Sequence, residues 1–393
     1  MTGKSAKNAQ TLPAPSFALT GQQAPLPALE KCATGKLVIY TSGSTGQPKG
    51  VRLESFQAMW TAITLARITG ADSSDKYLSL LPLPMLLEII CAIIIPVLAG
   101  GETVFEPDVA NAVATGDAVN LASAFDRVRP TMSVLVPQLL ALYTQQLAAA
   151  QTRPPESLRF VAVGGAPLPP AVARAATALH IPFFEGYGLS ECASVVAVNC
   201  PGANRPGTAG KPLPGLAVEI DKDEIVVSGP PVMDGYLHGE PAPHRWRTGD
   251  VGEIDEDGFL RIHGRLDNMI VTQTGRNIAP EWIEAMLVGD PRIKACAFTP
   301  AGKAGAPGML VILSPAGSRW FADAGKADLE QLVQKACETA PAYARPGWVL
   351  AVTPDEAQHF GLLAADGHIQ RPAIARYMKE KITANSEENN GHL

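Results

Sequence analysis

The densest chemistry in the sequence is one ten-residue string. Thr41-Ser-Gly-Ser-Thr-Gly-Gln-Pro-Lys-Gly50 packs three glycines, four hydroxyls and one lysine directly behind the apolar run Leu37-Val-Ile-Tyr40. Glycine lets backbone N–H groups approach a phosphate, hydroxyls donate to its oxygens, and an ammonium adds positive charge. Thr41, Ser42, Gly43, Ser44, Thr45, Gly46 and Lys49 are therefore candidate ligands of a polyphosphate. The string is not a Walker loop, because Pro48 precedes the lysine and Gly50 follows it, where that loop needs Gly and then Ser or Thr. A kinase or P-loop ATPase is disfavoured. Taken alone, a Ser/Gly-rich stretch is more often a flexible turn.

Further strings follow downstream. They are Val163-Gly-Gly-Ala-Pro-Leu168, Gly186-Tyr-Gly-Leu-Ser-Glu191, Arg247-Thr-Gly-Asp250, the run from Asp255 through Arg265 to Asp267, and Gly275-Arg-Asn-Ile-Ala-Pro-Glu-Trp-Ile-Glu284. Singly, each reads as a turn or an ordinary loop. In this order, behind the Ser/Gly loop, they resemble the adenylate-forming superfamily of acyl-CoA synthetases, luciferases and adenylation domains. Leu81-Pro-Leu-Pro-Met-Leu-Leu-Glu88 resembles a substrate-side motif of the fatty-acyl branch. The resemblance runs from about Leu37 to Ile374.

The resemblance implies ATP, Mg²⁺ and a thiol, coenzyme A or a carrier-protein phosphopantetheine, as reactants. It implies that Tyr187 stacks on adenine, that Ser190 touches phosphate and that Glu191 coordinates Mg²⁺. Gly186 and Gly188 frame that motif, and Gly164, Gly165 and Ala166 flank adenine and the acyl group. Asp250 takes the ribose hydroxyls, Arg265 helps bind the nucleotide, Asp267 is the pivot of a mobile C-terminal domain, and the loop at Gly275 lines the thiol tunnel. Catalytic roles fall on Lys49, Ser190, Glu191 and the position of His368.

Two departures from the family pattern follow. In Gly361-Leu-Leu-Ala-Ala-Asp-Gly-His-Ile-Gln-Arg371, Gly367 and Arg371 match the motif that carries the adenylation lysine, but His368 stands in the lysine position. A histidine near its reference pKa of about 6.5 is mostly neutral at pH 7 and has a shorter reach. Second, the Ser/Gly loop starts at residue 41, where relatives carry a substantial preceding segment. A trimmed sheet edge must be covered or paired, so self-association or a partner subunit is expected. Met85 also replaces a histidine that fatty-acyl relatives often carry.

The elements that must hold these residues show in the patterning. Strand-like Tyr77–Leu81, Thr103–Phe105, Met132–Val136 and Phe160–Val163 alternate with helical patterns at Phe56–Ile68, Leu86–Leu98, Ala122–Val128 and Pro137–Ala149. With Leu37–Tyr40 as the first strand, this predicts an α/β class with a mainly parallel sheet. From Pro206 to His263 short strands and frequent Gly and Pro predict a β-rich subdomain, and beyond Arg265 a small α+β domain follows. The expected organisation is a largely irregular leader (1–36), a shortened N-terminal AMP-binding domain (37–264), a C-terminal lid domain (265–384) and a tail (385–393).

The 393 residues carry a net charge of −6 and no Lys/Arg cluster, which argues against nucleic-acid binding. Six scattered cysteines without a C-x-x-C pair predict reduced thiols and a cytoplasmic location. Met85–Ala99, interrupted by Glu88 and Pro96, is too short for the ~20 apolar residues of a membrane span. The expected function is ATP-dependent activation of an apolar carboxylic acid, fatty or aromatic, and its transfer to a thiol. The alternative is an adenylation-impaired member that binds nucleotide or acyl-adenylate and serves as a thioesterification half-enzyme, partner or sensor.

Overall fold

The computed structural model describes residues 10–13, 35–41, 49–115, 119–271, 276–300, 306–364 and 369–390. The chain divides into two compact units, the first of Met1–Leu168 and Val172–Ile262 and the second of His263–Leu393 with Pro169–Ala171.

In chain order the strands up to Arg265 are β1 (Gln10–Pro13), β2 (Lys36–Thr41), β3 (Lys49–Glu54), β4 (Lys76–Ser79), β5 (Glu102–Phe105), β6 (Met132–Leu135), β7 (Phe160–Val163), β8 (Phe183–Tyr187), β9 (Ala197–Val198), β10 (Lys211–Pro212), β11 (Ala217–Asp221), β12 (Glu224–Ser228), β13 (Gly235–Tyr236), β14 (Arg245–Ile254) and β15 (Leu260–Arg265). The main sheet has the order β1-β5-β4-β6-β7-β8-β9-β10. Strands β5, β4, β6, β7 and β8 are parallel neighbours, and β1, β9 and β10 are antiparallel. All four residues of β6 are buried, as expected of a parallel strand covered on both faces. The helices Ser55–Thr69, Leu121–Val128 and Pro137–Ala150 pack in the same core as this sheet, where the Phe125 and Tyr143 rings stack with centroids 4.4 Å apart.

Two expectations need correction. Leu37–Tyr40 is not the first strand of the parallel sheet: β2 pairs antiparallel with β3, an unforeseen strand, in a separate sheet of order β13-β3-β2. Its burial alternates along the strand, the signature of a ribbon covered on one side. Within the leader, Gln10–Pro13 pairs with Glu102–Phe105; the unpaired N–H and C=O groups of a sheet edge favour such an addition. The helix foreseen at Leu86–Leu98 contains a π-helical stretch, Ile89–Ile94, between α-helical Leu86–Glu88 and Ile95–Ala99. In the second unit the helix Pro315–Ala336 is broken at Gly325, whose φ of 77° suits glycine.

The β-rich subdomain forms a four-stranded sheet, β11-β12-β14-β15. In the second unit β16 (Ile270–Val271) pairs with β17 (Asn277–Ile278). There β18 (Ile293–Thr299), β19 (Gly308–Leu313) and β20 (Trp348–Val352) form a three-stranded sheet centred on fully buried β19. Its helices at Pro280–Ala285, Pro315–Ala336 and Pro354–His359 each open on proline, whose missing N–H has no helical partner there to lose.

Candidate active site

The Ser/Gly loop joins the two strands of a hairpin, and the last described pair before it is Thr41 opposite Lys49. Thr41 Oγ1 donates to the Lys49 carbonyl at 3.4 Å. Ser42, Gly43, Ser44, Thr45 and Gly46 lie outside the described residues. Next to Lys49, β13 is zipped to β3, with Tyr236 opposite Val51 and the Leu237 N–H donating to the Gly50 carbonyl at 2.7 Å. That register lays the Tyr236 ring under Lys49, whose Nζ stands 5.5 Å from the ring centroid.

Strand β8 carries the second cluster and turns into β9 through a tight loop. Ser190–Cys192 forms one 3₁₀ turn, after which Ala193 and Ser194 take positive φ values of 49° and 85°. At Gly188 a Cβ would stand 1.6 Å from the Ser194 carbonyl oxygen, so the loop closes only because no side chain is there. This closure holds Glu191 near β13: the Tyr236 hydroxyl donates to Glu191 Oε1 at 2.9 Å, and the Met233 N–H donates to the Glu191 carbonyl at 2.8 Å. Ser190 shares the same turn.

The parallel register of β7 and β8 sets Val163 opposite Glu185, so the Gly164-Gly165-Ala166 loop leaves beside Gly186. A Cβ on Gly164 would meet the Gly186 carbonyl oxygen at 3.2 Å. From the β-rich subdomain comes Asp250, which is buried. The register of β12 against β14 shifts between Glu224 and Val226, and Glu224 Oε1 accepts from the Gly249 N–H at 2.8 Å. Thr248 Oγ1 donates to the Ile225 carbonyl at 2.8 Å and accepts from the Asp250 N–H at 3.0 Å. Fixed this way, the Asp250 carboxylate accepts from the Tyr187 hydroxyl at 2.5 Å. Burial and the adjacent Asp250 push the Tyr187 phenol well above its usual pKa, so it stays a donor.

The first unit thus links Lys49 to Glu191 through Tyr236, Tyr187 to Asp250, and the Gly164 loop to Gly186. Sequence reasoning missed Tyr236 and Glu224. Both act through pairings between distant strands, and neither carries a local signal. In the second unit Arg265 ends β15 and Asp267 sits in the turn Leu266–Asn268. Gly275 and His368 lie outside the described residues, although Leu363 and Ile369, which bracket the His368 stretch, pair with each other.

Residues 4–237 match the family model of AMP-binding enzymes, and residues 267–389 match that of the AMP-binding enzyme C-terminal domain. The chain belongs to the AMP-binding enzyme family. A 2-succinylbenzoate–CoA ligase of Bacillus licheniformis is 31% identical over 279 residues, which cover 65% of this chain and 55% of that protein. A feruloyl-CoA synthase of an Amycolatopsis species is 33% identical over 314 residues, covering 72% of this chain and 60% of that protein. Among solved structures, the o-succinylbenzoate CoA synthetase of Bacillus subtilis with its acyl-adenylate intermediate superposes with a TM-score of 0.68 at 25% identity, covering 85% of this chain and 68% of that one. The chain spans between 55% and 60% of the length of these two curated relatives.

Proposed function

We propose that the chain activates an apolar carboxylic acid with ATP and passes the acyl group to a thiol. The observation that carries this is the paired placement of Glu191 and Asp250. Each carboxylate is held by a tyrosine hydroxyl, and Tyr236 joins the first of them to Lys49. A cation with an adjacent carboxylate suits a magnesium polyphosphate, and a second carboxylate suits ribose hydroxyls. Mg²⁺ is commonly held by one or two protein carboxylates plus substrate phosphates. The donor set fits an ion carried in by the nucleotide, since among the described residues no three His, Cys, Asp or Glu side chains are grouped as a metal site.

In the first half-reaction an oxygen of the acid forms a bond to the α-phosphorus, the bond to pyrophosphate breaks, and pyrophosphate leaves. The thiol then adds to the acyl carbon, loses its proton, and expels AMP. Crowded anions must be aligned and neutralised, which is positioning and electrostatic work. Lys49 would supply positive charge and Glu191 would hold the ion together with the phosphates. Asp250 and Arg265 take the nucleoside, Tyr187 and the Gly164-Gly165-Ala166 loop flank adenine, and Ser190 donates to phosphate.

The relatives named above are ligases of aromatic acids, which favours an aromatic acid over a fatty one. Coenzyme A is the favoured thiol, with a carrier-protein phosphopantetheine as the alternative. Among the described residues no helix is long and apolar enough to cross a membrane, and Cys91, Cys192, Cys200, Cys296 and Cys337 are unbridged, which favours a cytoplasmic setting. Among the described residues β2 is the outer strand of its sheet, with Val38 and Tyr40 exposed, which favours pairing with a second copy or a partner subunit.

An acid-dependent ATP–pyrophosphate exchange screen over aromatic and fatty acids, followed by mass spectrometry of the thioester, tests the reading. Exchange with an aromatic acid, abolished in Glu191→Ala, is the expected result. No exchange and no thioester from any acid rejects it in favour of a binding or half-reaction role.

A further inference from the structure

We infer that Tyr236 is a positioning residue that sets the Glu191 carboxylate for the metal ion of a bound nucleotide. The inference rests on the proposed function only in taking Mg·ATP as the ligand of this site.

Three observations converge on this side chain. Its hydroxyl donates to Glu191 Oε1 at 2.9 Å, its ring lies 5.5 Å below the Lys49 ammonium, and its ring edge meets the Trp246 ring with centroids 6.0 Å apart at 73°. The backbone leaves Tyr236 little freedom to be elsewhere. Its strand is registered against Arg52 and Val51, and at Gly235, with φ of 137°, a Cβ would stand 2.6 Å from the Glu240 carbonyl oxygen. Tyr236 is thus pinned by its own strand and by Trp246, whereas Glu191 sits on a short loop turn. With both backbones held, Glu191 by its 3₁₀ turn and the Met233 N–H, the hydroxyl acts on the rotation of the Glu191 side chain.

The physical consequence concerns the plane of the carboxylate. A carboxylate on a loop can rotate, and each rotamer presents a different oxygen to a cation. A phenol bonded to Oε1 fixes one oxygen and directs Oε2 as the one offered to a metal. Mg²⁺ demands near-ideal octahedral geometry, so it is sensitive to a ligand held in the wrong plane. The same ring face attracts the Lys49 ammonium through its quadrupole. One aromatic side chain thereby sets the spacing between the positive group that meets phosphate and the negative group that meets the ion.

The test separates the hydroxyl from the ring. Tyr236→Phe keeps the ring over Lys49 and against Trp246 and removes only the donor. Calorimetric binding of ATP to the full chain is measured across a range of free Mg²⁺ and in EDTA, with Mn²⁺ bound to the complex read independently by electron paramagnetic resonance. Tyr236→Phe is expected to raise the Mg²⁺ concentration needed for half of the effect by about tenfold, the loss of one donor to a charged acceptor. ATP affinity in EDTA is expected to stay within about twofold of wild type, because the cation–π contact is retained. In a Glu191→Gln background, Tyr236→Phe is expected to add nothing, since the tyrosine acts through that carboxylate.

Identical Mg²⁺ curves for Tyr236→Phe and wild type overturn the inference. So does an equal loss in EDTA, a full Tyr236→Phe effect in the Glu191→Gln background, or wild-type ATP binding that ignores Mg²⁺. If no acid supports pyrophosphate exchange, the proposed function fails while these binding curves still read Tyr236 and Glu191.

Discussion

The Tyr187 hydroxyl donates to the Asp250 carboxylate at 2.5 Å although 63 residues separate them. It ties the end of the last parallel strand, β8, to the bulged strand β14 of the β-rich subdomain. A free carboxylate at this position would be hydrated and mobile; here it is buried and oriented.

If Asp250 takes the ribose hydroxyls as proposed, Asp250→Asn is expected to weaken AMP binding by about 10–100-fold through the loss of charged hydrogen bonds. Tyr187→Phe is expected to weaken it less, by about 3–10-fold, because the ring is kept while the carboxylate loses one support. The pKa of the Tyr187 phenol is raised, so its donor persists as pH rises, and wild-type AMP affinity should show no tyrosine titration step below about pH 10. Calorimetry of AMP binding against pH checks all three.

Glu88 makes a second prediction, in the core of the first unit. It is fully buried, accepting from the Ser79 hydroxyl at 2.6 Å and the Tyr77 hydroxyl at 3.0 Å. Burial outweighs these bonds and raises its pKa from 4.5 to about 7. The folded state therefore holds this proton over a range where the unfolded chain has released it. Stability from this group is complete below pH 4.5 and is lost as pH rises through about 7, a change on the order of 3 kcal/mol. Urea midpoints taken from about pH 5 to about pH 8 should fall in wild type, and the part of that fall due to Glu88 should vanish in Glu88→Gln.

A third prediction concerns two strings noted in the sequence that meet in the second unit. Arg371 clamps Glu284 with Nη1 and Nη2, each at 2.8 Å, and Nη2 also donates to Glu281 at 3.1 Å. Glu284 Oε1 further accepts from the Phe298 N–H at 2.8 Å. Arg371→Ala strands a buried carboxylate, and breaking such a pair costs about 3 kcal/mol. Amide exchange across Ile278–Ala285 should accelerate by about 100-fold, with Arg371→Lys intermediate because lysine cannot hold the two-pronged geometry.

How much of this was legible follows from the range of each signal. Met132-Ser-Val-Leu135 and the helix opening at Pro137 could be read locally, because burial on both faces leaves apolar residues on both sides of a single serine and proline marks the helix start. The strings at 186–191 and 247–250 were legible because their residues are adjacent in the chain. Tyr236 was not, since its place depends on pairing with Val51, and no periodicity reports a partner that far away. The same holds for Gln10–Pro13, whose strand character comes from the edge of Glu102–Phe105. Glu224 reads as a surface charge until the register shift turns it under Gly249. The helix at Leu86–Leu98 was placed correctly, but the extra residue per turn in its π-helical stretch leaves no compositional trace.

The last prediction addresses whether the first half-reaction is intact. We propose, from the resemblance of the sequence around Gly361–Arg371, that His368 takes the place where the family motif carries lysine. A neutral imidazole gives a transition state with developing charge less than an ammonium does, and removing one such donor costs on the order of 10²–10³ in rate. His368→Lys is accordingly expected to raise acid-dependent ATP–pyrophosphate exchange by about 10²-fold. Thioester formation from a synthetic acyl-adenylate should stay within about twofold, since that step begins after pyrophosphate has gone. His368→Ala should alter neither rate by more than about threefold. Fast wild-type exchange that His368→Lys leaves unchanged would show that another group supplies the charge, and the adenylation-impaired reading would then lose its basis.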